Sequence, residues 1–389
     1  MPISLPTLQI DLRPGIIELG WGHPPLELLP VAAMRRATAE ALTRYGAESL
    51  TYGHAAGPGR LIEWLCEYIA RQEGIAPAPD ELLITGGNSH TLDQILTLCT
   101  EPGDTVLVES PTYHLAVRIL REHPVHLVGI PMDQDGLIVD ALSETLAHLR
   151  RQGIRPRLLY TIPTHHNPTG VSLSLERRRA LVELGAETGL LIVEDDVYRE
   201  LSYDGPAPPS LWRLAPPGVV VRMGSFSKSL APGLRLGWLT GGRNLVQRMA
   251  HGGLLDSGGG INHFTALVVA ELCASGDFDE QVARVRTIYG VRRDALLAAL
   301  REQLPPGCSW YSPGGGFFVW LTVPESVRCV DLLPLAERVG VSFLPGEHFF
   351  LDGGGEEQLR LSFSLYPPEE LVSAATILGA VVRNCSRKR

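Results

Sequence analysis

Apolar residues recur along the chain in two alternating rhythms. Short, almost wholly apolar runs at Leu82–Thr85, Asp104–Glu109 and Leu190–Tyr198 have the length and bounding residues of buried strands. Between and after them the period lengthens to that of a helix. Val31 to Tyr45 sets Ala, Leu and Met on one face and Arg35, Arg36 and Glu40 on the other. Further helices are predicted from about His90, over Asn262 to Ala274, and from Asp277 to Gln303, the last long enough to bridge to a second domain. Strands alternating with helices predict an α/β fold on a parallel sheet. Residues 1–30 mix Pro, Gly and apolar residues and predict an extended arm.

Composition narrows this picture. A chain of 389 residues is too long for one compact core and suits two or three domain-sized units. Its 44% hydrophobic and 20% charged residues are those of an ordinary globular protein, and the 41 glycines and 30 prolines are scattered without period, as loop punctuation. The net charge of −9 and the lack of a basic stripe argue against a nucleic-acid partner. Arg387, Lys388 and Arg389 form a basic tail, expected to be solvated. Six separated cysteines, without a C-x-x-C pair or a nearby His at metal-ligand spacing, predict reduced thiols and no metal site. No charged-then-apolar leader opens the chain and no apolar run approaches membrane-spanning length, so a cytoplasmic protein with no membrane partner is expected.

Candidate chemistry concentrates in Gly224-Ser225-Phe226-Ser227-Lys228-Ser229-Leu230-Ala231-Pro232-Gly233-Leu234-Arg235-Leu236-Gly237. Lys228 offers an amine for an aldehyde carbon, while Ser225, Ser227 and Arg235 offer donors and charge for a phosphate. A surface turn rich in Ser and Gly has the same composition, so the segment is only suggestive alone. Two other features fit it. Gly86-Gly87-Asn88-Ser89 feeds a predicted helix N-terminus, a natural anion site. Asp195 ends an apolar strand, where doubly wound sheets place ligand contacts.

Taken together with Asn167-Pro168-Thr169-Gly170, the lysine segment closely resembles class I/II aminotransferases, the fold-type-I family, and the resemblance runs in order from about residue 16 to 380. It implies a large domain with a mostly parallel central sheet, over residues 48–285, and a small α/β domain over 286–389 that also takes up part of the arm at 1–47. It implies pyridoxal 5′-phosphate as cofactor, bonded to Lys228. Gly87, Asn88, Ser89, Ser225, Ser227 and Arg235 would hold its phosphate. Asp195 would pair with the pyridine nitrogen, Asn167 and Tyr198 would bond the phenolic oxygen, and Tyr113 would stack on the ring. Tyr52 would reach the cofactor of the neighbouring subunit in a homodimer. Arg360 would bind the substrate α-carboxylate, with Asn167, Trp21, Gly22 and His23 near the substrate.

The sequence departs from the family pattern in places. Ile62 stands where relatives carry Arg, and His166 where many carry Gln. His166 is expected to line the cofactor and His165 to pack or cap, since adjacent rings rarely converge. Gly258-Gly259-Gly260 reads either as a flexible turn or as backbone approaching a ligand. Glu194 and Asp196 are expected to be structural. The implied reaction is transfer of an amino group between an L-amino acid and a 2-oxo acid, with Lys228 as base and acid. An alternative is elimination, replacement or ring formation on an activated amino acid such as S-adenosylmethionine. Regulators that use this fold as a sensor add a DNA-binding domain ahead of it, for which the residues before 16 leave no room.

Overall fold

The computed structural model describes residues 8–10 and 12–386; the basic tail at Arg387 to Arg389 and the start of the arm lie outside them. Strand Ile17–Glu18 (β1) is followed by Leu82–Thr85 (β2), Thr105–Ser110 (β3), His126–Asp133 (β4), Gly136–Leu137 (β5), Leu158–Thr161 (β6), Leu191–Asp195 (β7), Val220–Ser225 (β8) and Gly237–Thr240 (β9). Strands β2 to β9 form one eight-stranded sheet in the order β2-β9-β8-β7-β6-β3-β4-β5. From β8 to β4 every pairing is parallel, and the antiparallel β9, β2 and β5 finish the edges. Strands β2, β6 and β8 are buried at every residue, as strands covered on both faces must be. Because β3, β6, β7 and β8 run the same way, their C-terminal ends share one edge, and the segments that follow them carry Tyr113, Asn167, Tyr198 and Lys228.

Ser309–Trp310 (β10), Phe318–Thr322 (β11), Val341–Ser342 (β12), Leu344–Pro345 (β13) and Gln358–Ser362 (β14) come after the large sheet. Four of them make an antiparallel sheet in the order β10-β11-β14-β13, in which Arg360 lies opposite Trp320. Strand β1 pairs in parallel with β12, so the arm joins this smaller layer. The helix that follows the arm does not. Val31–Tyr45, bounded as the pattern predicts, packs on the helix His263–Ala274 beside the large sheet, with Ala37 and Ala41 buried there. The 27-residue helix Asp277–Gln303 crosses between the layers and lies along the C-terminal helix Pro368–Ser386.

The end of β7 is fixed from behind by a buried ionic cluster. Arg222 donates to Asp196 at 2.8 and 2.9 Å and lies 3.1 Å from Glu73, while Arg199 donates to Glu73 at 2.6 Å and lies 3.4 Å from Asp196. Glu194 accepts the N–H groups of Leu211 and Trp212 at 2.8 and 2.9 Å. The expectation that Glu194 and Asp196 are structural therefore has its partners. Removing one member of such a cluster strands the others without counter-charge in the interior. Arg222→Met should lower unfolding free energy by about 3–5 kcal/mol, read from the shift in the denaturant midpoint.

Candidate active site

Lys228 follows β8 at the shared edge, and its Nζ donates to the carbonyl of Gly22 at 2.8 Å and stands 5.7 Å from the centre of the Phe317 ring. Burial, together with the positive charges of Arg360 and Arg235, pulls its amine down from the ordinary 10.5 to about 8, against the opposing pull of Asp195. Asp195, at the last position of β7, accepts from Asn88 Nδ2 at 2.6 Å and from Tyr160 Oη at 2.7 Å. Burial raises its carboxyl to about 6, although both hydrogen bonds draw it downward.

Arg360 reaches the same space from the small sheet. Its Nη1 donates to Asn167 Oδ1 at 2.8 Å and its Nη2 to the carbonyl of Gly20 at 2.6 Å; the guanidinium lies 4.0 Å from the centre of the Phe318 ring and 5.0 Å from that of Phe349. Its Nε is buried without a partner among the described residues, and burial lowers its pKa to about 10. The phenol of Tyr198 is buried beside Asn167. Tyr113 precedes the helix His114–Glu122, within the fields of Arg360, Asp195 and Arg235.

A second anion-ready surface lies beside them. The helix Asn88–Cys99 starts after Gly87, whose φ of 89° suits glycine, and its first-turn N–H groups have no intrahelical acceptor. Arg235 adopts a left-handed backbone (φ 45°), uncommon for a residue with a side chain, and places its guanidinium against Gly87 with a bond of 3.3 Å to the carbonyl of Gly86. A Cβ at Gly87 would come to 3.1 Å of Arg235 Nη2, so the glycine keeps this cradle open. Ser225 and Ser227 hydroxyls bond each other at 3.0 Å between the strand end and Lys228.

Several sequence expectations take a different form. The side chain of Asn88 turns away from the cradle toward Asp195, leaving its backbone N–H as what faces an anion. His166 is 1% exposed and directs its ring nitrogens inward, Nε2 to 3.1 Å from Glu109 and Nδ1 to 2.9 Å from Thr169 Oγ1, instead of lining the open space. His165 packs as expected, 2.8 Å from Ser202 Oγ. Gly259 and Gly260 approach other backbone and side-chain atoms, a Cβ at Gly259 coming to 2.7 Å of the Cβ of Tyr52 and one at Gly260 meeting the carbonyl of His54, whereas Gly258 faces open space. Tyr52 itself is 80% exposed and lies outside the cluster formed within this chain. Trp21 and His23 meet edge to face at 5.5 Å, and His23 is held neutral, down to about 4, by burial and by Lys228 and Arg360. Ile62 is buried in the apolar layer beneath the helix it belongs to.

Tyr160, Phe318 and the carbonyls of Gly20 and Gly22 were not anticipated. The one available signal was Tyr160 itself, a phenol in a central strand that must find a buried acceptor.

Residues 14–378 match the family model for aminotransferase class I and II. The chain belongs to the class I and II aminotransferases. This aminotransferase is 32% identical to aromatic-amino-acid aminotransferase 1 of Thermococcus litoralis, over 98% of this chain and 91% of that one. Its structure matches the multiple substrate aminotransferase from Thermococcus profundus with a TM-score of 0.92 at 33% identity, covering 97% and 93% of the two chains. It matches alpha-aminoadipate aminotransferase from Thermus thermophilus, complexed with N-(5'-phosphopyridoxyl)-L-leucine, with a TM-score of 0.86 at 32% identity, covering 97% and 94%. The α/β architecture with a mostly parallel central sheet is thus the fold-type-I one, and the reaction class is amino-group transfer between amino and oxo acids. The elimination, replacement or ring-forming alternative gains no support from these relatives. No helix among the described residues is long and apolar enough to cross a membrane.

Two pH responses follow from the charges. Capture of a small aldehyde by the cofactor-free aminotransferase, trapped with borohydride and read by mass, should rise with pH through a midpoint of about 8, and Arg360→Leu should move that midpoint upward by removing a cation. Asp195 has a folded pKa above its unfolded one, so its stabilising contribution is full below about 4 and lost as pH rises through about 6. Asp195→Asn should therefore gain unfolding free energy relative to the parent by roughly 1–3 kcal/mol between about pH 4 and about pH 7, measured by denaturant titration without cofactor.

Proposed function

We propose that this aminotransferase carries pyridoxal 5′-phosphate on Lys228 and holds the α-carboxylate of its amino-acid and oxo-acid substrates on Arg360. One observation carries the reading: Lys228, Arg235 and Arg360 converge on one space in which Asp195 is the acid that acts on Lys228. Among the described residues no carboxylate lies within 4.0 Å of any of the three cations. Such a space calls for an anionic ligand, and a phosphate at the cradle with a carboxylate at the buried Nε of Arg360 would satisfy it. The open surface at Gly87 and the unpaired first-turn N–H groups suit the phosphate.

When bound, the cofactor supplies an electron sink for the pair left behind as the substrate Cα loses its proton. Lys228 Nζ is the proton carrier, able to act because its surroundings keep the amine partly neutral near neutral pH. Asp195 would partner the pyridine nitrogen, Asn167 and Tyr198 would bond the phenolic oxygen, and Tyr113 would pack against the ring. The N–H groups of Gly87, Asn88 and Ser89, with Ser225, Ser227 and Arg235, would hold the phosphate. Gly22, Trp21 and His23 border the substrate side, where the edge-to-face pair makes aromatic amino acids, the substrates named for the Thermococcus litoralis relative, the first to test.

The exposed ring of Tyr52 supports a homodimer in which it serves the neighbouring subunit's site. The two sheets support a large domain at 48–285 and a small one at 286–389 with the arm at 1–47, joined through the continuous helix Asp277–Gln303, with Val31–Tyr45 packed toward the large one. Six free cysteines accord with a cytoplasmic, reducing setting.

The test is a panel of amino acids with an oxo-acid acceptor, products identified by mass. The matching oxo acid should appear with the parent and vanish with Lys228→Ala. Arg360→Gln should raise KM for the amino acid by roughly a hundredfold. Oxo acid still formed by Lys228→Ala, or an unchanged KM in Arg360→Gln, would sink the reading.

A further inference from the structure

We propose that Asn88 and Tyr160 form a clamp on Asp195 and are positioning residues for the contact this carboxylate makes with the cofactor's pyridine nitrogen. The inference rests on the reading of Asp195 given above and adds two residues to it. Asn88 Nδ2 takes Oδ1 at 2.6 Å and Tyr160 Oη takes Oδ2 at 2.7 Å, both in the short range of hydrogen bonds to a charged acceptor. A carboxylate offers about four lone-pair sites, so one donor on each oxygen fixes the plane and still leaves room for a third donor from the ligand.

The two donors come from different directions. Asn88 is the first residue of a helix standing at the strand ends, and Tyr160 lies on β6, directly beside β7. Rotation of the Asp195 side chain would break one bond or the other. Neither donor has an equal alternative: Tyr160 is fully buried, and the other oxygen near Asn88 Nδ2, that of Met223, is at 3.5 Å. The Asn88 Oδ1 atom is buried without a partner among the described residues, so the residue is oriented by its donation to Asp195.

The charges around the clamp fit the same role. Burial and the neighbouring Asp196 push the Asp195 carboxyl up, whereas Tyr160, Asn88 and the N–H of Val197 pull it down. Asp196 is itself answered by Arg199 and Arg222. Tyr160 is driven well above the ordinary phenol range by burial and by Asp195, so it remains a donor throughout the working pH range. A merely structural tyrosine would also seek an acceptor, but it would not have to share that acceptor with the side chain of a phosphate-cradle residue.

Tyr160→Phe and Asn88→Ala, the second keeping its backbone N–H, test the clamp separately. In the cofactor-free protein the Asp195 carboxyl, assigned by its loss in Asp195→Asn, is titrated by difference infrared spectroscopy. Each substitution should move its midpoint to higher pH, and the pair further. In the loaded protein each should speed loss of pyridoxal 5′-phosphate on dialysis by about tenfold. In the Asp195→Asn background neither should have any further effect. An unmoved carboxyl midpoint in either folded variant overturns the clamp. A moved midpoint with unchanged cofactor loss overturns the role of Asp195 toward the pyridine nitrogen while the clamp stands. Asn88→Ala still decides between these outcomes if Tyr160→Phe does not fold.

Discussion

The site depends on positive charge taken out of water without an equal negative charge to answer it. Arg360 is buried with Lys228 half-buried near it, each lowered from its usual pKa by lost solvation, and Arg235 adds its charge from the rim. What the chain offers them is dipoles and π faces. The carbonyl of Gly22 serves Lys228, while Asn167 Oδ1, the carbonyl of Gly20 and the rings of Phe318 and Phe349 serve Arg360. These groups replace part of the lost hydration and leave the charge itself uncompensated. An anionic ligand that supplies the missing charge must then stabilise the fold as well as occupy the site.

The cluster behind the sheet is the opposite case. Arg199 and Arg222 face Glu73 and Asp196, all buried, with charge balanced inside the chain. Asp195 and Asp196 are adjacent, yet one belongs to the unbalanced site and the other to the balanced cluster. Successive strand residues point to opposite sides, so two neighbouring acids at the end of β7 can serve two purposes. The closed cluster holds the backbone at Asp196 and Arg199 and so presents Asp195 and Tyr198 to the open side.

What was legible in the sequence follows from range. The helices Val31–Tyr45 and Asp277–Gln303 and the strand Leu82–Thr85 appear with the bounds their periodicity predicts, because each is defined by local pattern and bounded by Pro, Gly or polar residues. Lys228, Asp195 and Arg360 stand out because each sits in a recognisable run. Partnerships across the chain leave no such trace. Nothing near Glu73 in sequence points to Arg199 or Arg222, more than a hundred residues on, and nothing near His166 says that its ring will lie 3.1 Å from Glu109. Asn88 was placed by its turn, yet its side chain answers to a strand that arrives 107 residues later. Backbone carbonyls such as those of Gly20 and Gly22 are beyond any residue-type argument, since every residue has one.

Those two carbonyls also tie the small layer to the chemistry. The arm is anchored by the pairing of β1 with β12 and by the N–H of Ser362 on the carbonyl of Leu19 at 2.7 Å. One residue further on, Gly20 grips Arg360, and two beyond that Gly22 meets Lys228. No side chain fits at Gly22, because a Cβ there would collide with the Phe318 ring that also supports Arg360. Strand β11, strand β14 and the arm therefore meet at one point, with Lys228 of the large layer on the far side. Any displacement of the small sheet must carry Gly20 to His23 with it and so change the distance between the carbonyl of Gly22 and the amine. The spacing between carboxylate-binding arginine and proton-carrying lysine is thereby set by the seating of one sheet on the other, through four residues of arm.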